Sequence, residues 1–120
     1  MARRTALIIE DEQDMRELLE SMLAAEFEVV TAANGADGVR LAKERRPTVI
    51  LMDLVMPSQD GFSTCQVLRS SLETEDVPVI VVSGQNDEAH RTRAFQEGAD
   101  DFIAKPFTRA ELLARVAAKV

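Results

Sequence analysis

Short apolar runs alternate along the chain with longer segments in which apolar residues recur every three or four positions. The runs consist mostly of Val, Ile, Leu and Met, and several are continuous rather than interrupted by polar residues. Continuous runs of this kind are typical of strands that are covered on both faces. They predict five strands, at residues 5–10, 28–32, 49–53, 79–83 and 101–104.

The segments between these runs predict helices. In the first segment, one helical face gathers Met15, Leu18, Leu19, Met22 and Leu23. Four more helices are predicted: one capped by Asn34 that carries Ala36, Val39 and Ala42, one at 61–72, one at 87–97 with few apolar residues, and a last one that begins at a capping box of Thr108 and Glu111.

Strict alternation of strands and helices predicts right-handed crossovers and a parallel sheet between two layers of helices. Five such units favour an α/β, flavodoxin-like (βα)5 three-layer sandwich with the strand order 2-1-3-4-5. No linker or second compositional zone interrupts the pattern, so residues 1–120 are expected to form a single domain.

Composition excludes several broad classes of protein. The 120 residues are 46% hydrophobic and 29% charged, which is typical of a globular domain rather than a disordered chain. The net charge of −7 argues against direct binding of nucleic acid by this domain. No apolar run approaches the ~20 residues of a membrane span, and no signal-like stretch opens the chain, so we expect a cytoplasmic protein without membrane association. The single cysteine, Cys65, fits a reducing compartment and a packing role.

Residues that could take part in binding or catalysis follow four of the five predicted strands. They are Glu10 and Asp11 after the first strand, Asp53 at the end of the third, Ser83 and Gly84 after the fourth, and Lys105 after the fifth. In open parallel sheets, ligands bind outside the carboxyl ends of the strands, near the switch point between strands 1 and 3. These groups are therefore expected to share one edge of the sheet.

Three carboxylates at one edge repel each other unless positive charge compensates. Lys105 supplies one positive charge, and a hard divalent cation such as Mg²⁺ would supply the remainder through oxygen ligands. A carboxylate that ends a rigid strand beside a cation can attack a phosphoryl group, and Asp53 has that position. Lys105 and Ser83 would then stabilise charge on the phosphoryl oxygens. Each residue alone is more simply a turn, cap or surface group, so the prediction depends on their joint placement.

Four segments, taken in order, resemble the receiver domain of bacterial two-component response regulators. They are LIIEDE at 7–12, LMDLVMPSQDG at 51–61, VIVVSG at 79–84 and GADDFIAKPF at 98–107. The resemblance covers essentially the whole chain. It implies a phosphorylation-dependent signalling switch that catalyses only its own phosphorylation and dephosphorylation, rather than an enzyme that turns over a separate substrate.

The resemblance also implies roles for single residues at the acidic edge. Asp53 is expected to accept a phosphoryl group from a sensor histidine kinase or a histidine phosphotransfer protein. Lys105 is expected to take part in this catalysis. Mg²⁺, for which Mn²⁺ can substitute, is expected to be held by Asp11, Asp53 and the backbone carbonyl of Val55. Glu10 would assist through a water molecule.

A switch pair and a partner surface are implied in the same way. Ser83 and Phe102 are expected to form the switch pair, which repacks the face built by the fourth helix, fifth strand and fifth helix. Phe102 stands where tyrosine is common, so burial of the ring is expected without a hydroxyl hydrogen bond. Four charged residues resemble those through which some relatives pair two receivers in a phosphorylation-promoted homodimer, namely Arg91, Asp101, Glu111 and Arg115.

Simpler interpretations and rival functions remain open at this point. Glu111 and Arg115 are four residues apart and can pair within one helix, and His90 is interpreted as a solvated helix residue with no neighbour that orients its ring. A haloacid-dehalogenase-like phosphatase needs a second acid where Val55 stands. A flavodoxin-like electron carrier needs a phosphate loop where Glu10 and its acidic neighbours would repel phosphate. A degenerate receiver that serves as a protein-interaction scaffold is a further alternative.

Overall fold

Residues 4–55 and 61–120 are described by the computed structural model; residues 1–3 and 56–60, the latter part of the predicted motif at 51–61, lie outside the described part. Strands and helices alternate as the hydrophobic pattern predicts. The strands are β1 (Thr5–Ile9), β2 (Glu28–Ala32), β3 (Val49–Met52), β4 (Val79–Ser83) and β5 (Asp101–Ala104). The helices are α1 (Gln13–Leu23), α2 (Gly35–Arg45), α3 (Gly61–Ser70), α4 (Glu88–Gln96) and α5 (Arg109–Lys119).

The strands form one parallel sheet in the order β2-β1-β3-β4-β5, which confirms the predicted flavodoxin-like α/β architecture. The register pairs Ile9 with Met52 at the ends of β1 and β3. It pairs Ser83 with Ala104 at the ends of β4 and β5. The residues that follow these positions therefore leave the sheet side by side at its carboxyl edge.

Hydrophobic side chains on the two faces of the sheet form two separate core layers. One layer includes Ile9 and Phe62 and packs against α2, α3 and α4. The other includes Ile8 and Leu112 and packs against α1 and α5. All residues of β3 and β4 are buried, as expected of strands that are covered on both faces. Polar chemistry is thereby confined to the ends of the strands.

The boundaries of four predicted elements differ from those observed. The helix predicted at 87–97 spans Glu88–Gln96, and Asp87 and Glu97 are its caps. The strand predictions 5–10 and 49–53 are each one residue too long. Glu10 and Asp53 still donate backbone hydrogen bonds to the neighbouring strands, but they lie past the last residues of β1 and β3. The helix predicted at 61–72 ends at Ser70, and Leu72 is 85% exposed. The ends of helices and strands are defined by backbone hydrogen bonds rather than by residue type, so a sequence pattern places them only to within one or two residues.

Helix faces also differ from the predicted ones at two places. Leu18 is 43% exposed, whereas its neighbour Leu19 is buried, so α1 uses a narrower face than its apolar residues indicate. In α2, Ala36 is exposed and Gly38 is buried. A β-carbon on Gly38 would lie 2.5 Å from the side chain of Ile9, so only glycine permits this close approach of α2 to β1.

Two predicted helix caps are confirmed. The Oδ1 atom of Asn34 accepts a hydrogen bond from the backbone N–H of Asp37 at 2.8 Å. The Oγ1 atom of Thr108 accepts one from the N–H of Glu111 at 3.1 Å. Each cap satisfies a backbone donor that the helix itself leaves without a partner. None of the helices in the described ranges has the length and apolar character needed to cross a bilayer.

Arg69, near the end of α3, joins the connections before β4 and β5, a link that the sequence pattern does not indicate. Its guanidinium donates to the carbonyls of Val77 and Gly98 at 2.7 and 2.8 Å. It also pairs with the carboxylate of Asp100, which accepts a hydrogen bond from the N–H of Val79 at 2.8 Å. One side chain therefore holds two loops against the start of β4.

Replacing Arg69 with alanine removes the guanidinium that donates to the partly buried carbonyls of Val77 and Gly98. Hydrogen bonds to charged groups contribute ~1.5–3 kcal/mol, so we expect Arg69→Ala to lower the free energy of unfolding by about 2–4 kcal/mol. Arg40, an exposed residue between Asp37 and Glu44, is the matched control, and Arg40→Ala should change stability by less than ~0.5 kcal/mol. Urea unfolding followed by circular dichroism measures both, and equal losses would contradict the assignment.

Candidate functional site

Three carboxylates meet at the carboxyl edge of the sheet, as predicted. Glu10 and Asp11 follow β1, and Asp53 follows β3. The backbone N–H of Asp53 donates to the carbonyl of Ile9 at 3.1 Å, so the two strand ends are tied together just before they diverge. One oxygen from each of the three carboxylates lies within 4.8 Å of the others.

Lys105 follows β5 and reaches across the edge into this group. Its Nζ donates to Oε1 of Glu10 at 3.0 Å and to Oδ2 of Asp53 at 3.1 Å. The Glu10 side chain is only 3% exposed, while those of Asp53 and Lys105 are largely buried. A single ammonium thus bridges two carboxylates in a region with little solvent, where charge interactions are strong.

The pKa values of the two bridged partners shift in directions that their surroundings explain. Burial, assisted by the charge of Asp53, raises the pKa of Glu10 from 4.5 to about 7, although the hydrogen bond from Lys105 opposes the shift. Burial by itself lowers the pKa of Lys105, but its hydrogen bond to Glu10 and the charge of Asp53 outweigh burial and leave that pKa raised. Lys105 therefore stays protonated, whereas Glu10 can exchange a proton near neutral pH.

The second oxygen of Asp53 is held by the backbone that follows it. The N–H of Val55 donates to Oδ1 of Asp53 at 3.3 Å, and the Val55 side chain is 55% exposed. The N–H of Gly61 donates to the carbonyl of Leu54 at 2.7 Å. A β-carbon on Gly61 would lie 2.5 Å from the Asp53 carbonyl oxygen, so the start of α3 presses directly on the backbone of this aspartate.

Ser83 completes the group from the end of β4. The residue is fully buried, and its Oγ accepts a hydrogen bond from the N–H of Gln85 at 3.1 Å. An open pocket of about 270 Å³ brings most of the predicted residues together; its lining is Asp11, Glu12, Asp53, Val55, Ser83, Gly84, Gln85 and Lys105. Glu10 lies beneath this pocket, hydrogen bonded to Lys105.

The donor set suits a hard divalent cation. Three carboxylates face one ammonium, so negative charge is in excess. All the ligand atoms are oxygen, which favours Mg²⁺ over metals that prefer nitrogen or sulfur. The open side of the pocket leaves room for water and a phosphoryl group on such an ion.

Phe102 and the charged residues of the predicted partner surface lie together on α4, β5 and α5. Phe102 is 2% exposed, and the guanidinium of Arg91 lies 5.5 Å from the centre of its ring. Arg115 donates to Oδ1 of Asp101 at 2.8 Å and to the Phe102 carbonyl at 3.1 Å. The alternative pairing of Arg115 with Glu111 within α5 is therefore wrong, because Asp101 on the neighbouring strand takes the guanidinium.

The interpretation of His90 as a residue without an orienting neighbour is also wrong. Asp87 caps α4 by accepting a hydrogen bond from the N–H of His90 at 2.9 Å, and its carboxylate lies 2.8 Å from the ring Nδ1. These hydrogen bonds lower the pKa of Asp87. The His90 ring stacks on Phe62, with 6.3 Å between ring centres. The cap residue precedes His90 by three positions, a spacing that could have indicated the contact.

Arg16 is a residue of this corner that the sequence does not indicate. It lies on α1, and its Nη1 donates to the backbone carbonyls of Glu10 and Asp11 at 2.9 and 3.2 Å. The link depends on how α1 folds back over the end of β1, which no local motif records. Cys65, by contrast, behaves as expected: it is buried in α3, and burial raises the pKa of its thiol to about 11.

Comparison with known sequences identifies close relatives of the chain. A family model described as the response regulator receiver domain matches residues 6–117. The chain is 39% identical over 116 residues to the transcriptional regulatory protein GltR of Pseudomonas aeruginosa, covering 96% of the chain and 48% of that protein. It is 42% identical over 113 residues to the transcriptional regulatory protein PrrA of Mycobacterium bovis, covering 93% and 48%. The chain thus spans about half the length of these curated relatives.

Solved structures share the same fold over nearly the whole chain. The receiver domain of the sensor histidine kinase PA1611 from P. aeruginosa, which has magnesium in its active site cleft, superposes with a TM-score of 0.91 at 32% identity, covering 98% of each chain. The chemotaxis protein CheY4 of Vibrio cholerae superposes with a TM-score of 0.93 at 25% identity, covering 99% of this chain and 100% of that one.

The titration of Glu10 predicts an unusual dependence of stability on pH. Because the pKa of Glu10 is higher in the folded state, the folded protein keeps a proton that the unfolded chain loses. The contribution of this group to the free energy of unfolding therefore falls as the pH rises from 4.5 to about 7. Glu10→Gln keeps an acceptor for Lys105 and removes the titration. We expect the free energy of unfolding of Glu10→Gln to exceed that of the wild type by more at about pH 7.5 than at about pH 5.

Urea unfolding at the two pH values, with a chelator present, measures this advantage. Glu20→Gln, at an exposed position of α1, is the matched control and should show the same difference from the wild type at both pH values. A Glu10→Gln advantage that does not change with pH would contradict the assignment.

Proposed function

The chain belongs to the family of response regulator receiver domains, and from this premise we propose that it is a phosphorylation-dependent switch whose phosphoacceptor is Asp53. The supporting observation is the position of Asp53 at the end of β3, beside two other carboxylates and under Lys105. Its carboxylate faces an open pocket that a phosphoryl donor can enter. Receiver domains are signalling domains of two-component systems. The proposed phosphorylation therefore modifies the protein itself and does not convert a separate substrate.

The proposed reaction is a transfer from a phosphohistidine of a sensor histidine kinase or a histidine phosphotransfer protein. A carboxylate oxygen of Asp53 attacks the phosphorus atom, the phosphorus–nitrogen bond breaks, and the departing imidazole takes up a proton. Lys105 stabilises negative charge on the phosphoryl oxygens, and the hydroxyl of Ser83 donates a hydrogen bond to one of them. Dephosphorylation is the same chemistry with water as the acceptor.

The proposal includes a Mg²⁺ ion, for which Mn²⁺ can substitute. Asp11, Asp53 and the backbone carbonyl of Val55 are the proposed ligands, and Glu10 contributes through water. The ion supplies positive charge that offsets the charge developing on the phosphoryl oxygens. The magnesium ion in the cleft of the PA1611 receiver domain supports this assignment by similarity.

Phosphorylation is proposed to act on the α4-β5-α5 face through Ser83 and Phe102. Ser83 is buried at the end of β4, and Phe102 lies on the neighbouring strand beneath Arg91. A hydroxyl that moves toward the phosphoryl group leaves space next to β5, which Phe102 and α4 then fill. The change reaches the surface at Arg91 and at the Asp101–Arg115 pair, where a second copy can bind. Relatives named as transcriptional regulators favour a transcriptional effector as the element controlled.

The rival functions receive less support from the site. A haloacid-dehalogenase-like phosphatase needs an acid two residues after Asp53, whereas the residue there is Val55, which offers Asp53 only its backbone N–H. A degenerate scaffold would not need Lys105 to bridge two buried carboxylates. The phosphorylation assay below separates the scaffold from the switch.

Incubation with Mg²⁺ and a small acyl-phosphate donor should add one phosphoryl group to the wild-type protein. Asp53→Asn should add none, because an amide nitrogen and a neutral oxygen are poor nucleophiles. Asp76→Asn, at an exposed position of the connection before β4, is the matched control and should react like the wild type. Intact-protein mass spectrometry gives the result. Phosphorylation that persists in Asp53→Asn would overturn the site, and none in the wild type would favour the scaffold.

Homodimer formation through the α4-β5-α5 face is tested separately. With Mg²⁺ and beryllium fluoride as a phosphoryl mimic, sedimentation should shift from monomer toward dimer. Arg115→Ala should weaken the shift, because it removes the partner of Asp101 at this face. Arg40→Ala on α2 should leave it intact. A wild-type monomer that is unchanged by the mimic would contradict the dimer without affecting phosphorylation.

A further inference from the structure

Arg16 occupies an electrostatically unfavourable place unless something compensates for it. It is the fourth residue of α1, and helical side chains lean toward the N-terminus, where the helix dipole is positive. Its guanidinium therefore lies where a cation is normally disfavoured. The compensation is visible: Nη1 donates to the carbonyl oxygens of Glu10 and Asp11, at 2.9 and 3.2 Å.

The three acids of the site are held in different ways. Glu10 has both oxygens engaged, Oε1 by Lys105 at 3.0 Å and Oε2 by the N–H of Glu12 at 3.2 Å. Asp53 is held at both oxygens as well, by Lys105 and by the N–H of Val55. Among the described residues, no hydrogen bond or ion pair reaches the carboxylate of Asp11. Its position is therefore set by its backbone.

The backbone of residues 10 and 11 is what Arg16 holds. The two carbonyls it binds belong to consecutive peptide groups, and these two groups flank the α-carbon of Asp11. Fixing both peptide planes fixes the direction in which the Asp11 side chain leaves the backbone. Without the guanidinium, the turn between β1 and α1 keeps the hydrogen bonds from Glu10 N–H to the Ala32 carbonyl at 3.0 Å and from Glu12 N–H to Oε2 of Glu10 at 3.2 Å. It loses the two contacts to the carbonyls that flank the α-carbon of Asp11.

We propose that Arg16 is a positioning residue for the cation site: by binding the carbonyls of Glu10 and Asp11, it orients the Asp11 carboxylate toward Asp53. The inference rests on the proposed function, in which Asp11 is a ligand of the divalent cation. Arg16 does not touch the cation or the phosphoryl group. Its removal therefore weakens cation binding and leaves the transfer step intact once the cation is bound.

Isothermal titration with Mg²⁺ tests this in the full chain. Partners that orient metal ligands typically change metal affinity by 10–100-fold when removed, so Arg16→Met, which keeps the aliphatic stem, should raise the Kd for Mg²⁺ about tenfold. Arg16→Lys keeps a donor and should give an intermediate Kd. Arg40→Met, which removes an equal charge from α2, should leave the Kd within about twofold of the wild type.

Phosphorylation by a small acyl phosphate provides the second readout. For Arg16→Met, the Mg²⁺ concentration that gives half the maximal rate should rise by the same factor as the Kd. The rate at saturating Mg²⁺ should stay within about twofold of the wild type. A purely structural role would lower stability in urea without this separation of affinity from rate.

Two results would overturn the inference: an unchanged Kd in folded Arg16→Met, whatever its rate at saturating Mg²⁺, or an equal rise of the Kd in Arg40→Met. If Arg16→Met does not fold, Arg16→Lys decides, and a wild-type Kd in that variant counts against the proposal. Failure of the proposed function is distinguishable, because it appears in the wild type as the absence of Mg²⁺ uptake.

Discussion

The repulsion among Glu10, Asp11 and Asp53, and its partial relief by Lys105, is the interaction on which the rest of the structure depends. Carboxylates within 4.8 Å of each other are unfavourable in a buried corner. The fold holds them there because strong packing elsewhere determines the course of β1 and β3. The result is a site with excess negative charge, which a bound cation would stabilise.

Rigid surroundings make this arrangement possible. Both faces of β3 are covered by helices, so Asp53 directly follows a strand that is held in place by packing on both sides. Two glycines permit unusually close packing, Gly38 against Ile9 and Gly61 against the Asp53 carbonyl. A side chain at either position would push apart the elements that carry the acids. Small residues at these places are therefore part of the site, although they carry no chemistry.

The acidic edge and the α4-β5-α5 face are connected through few residues. Ser83 ends β4 within the pocket, and Phe102 lies on the neighbouring strand in contact with Arg91 at the surface. Arg115 binds both Asp101 and the Phe102 carbonyl. The proposed movement of Ser83 would therefore have a short path to surface charges, through a close-packed core.

Periodicity and the order of residues along the chain by themselves determined the α/β class, the strand order, the caps at Asn34 and Thr108, and the group of acids with Lys105. These features follow from local patterns and from the rule that parallel strands end at one edge. The tertiary structure alone decided that Arg115 pairs with Asp101 rather than Glu111, that Leu18 and Leu72 face solvent, and that Arg16 and Arg69 bind backbone carbonyls. The physical reason is that a long side chain satisfies whichever acceptors the packed elements bring within reach, and those acceptors are distant in sequence or belong to the backbone, which has no sequence signature.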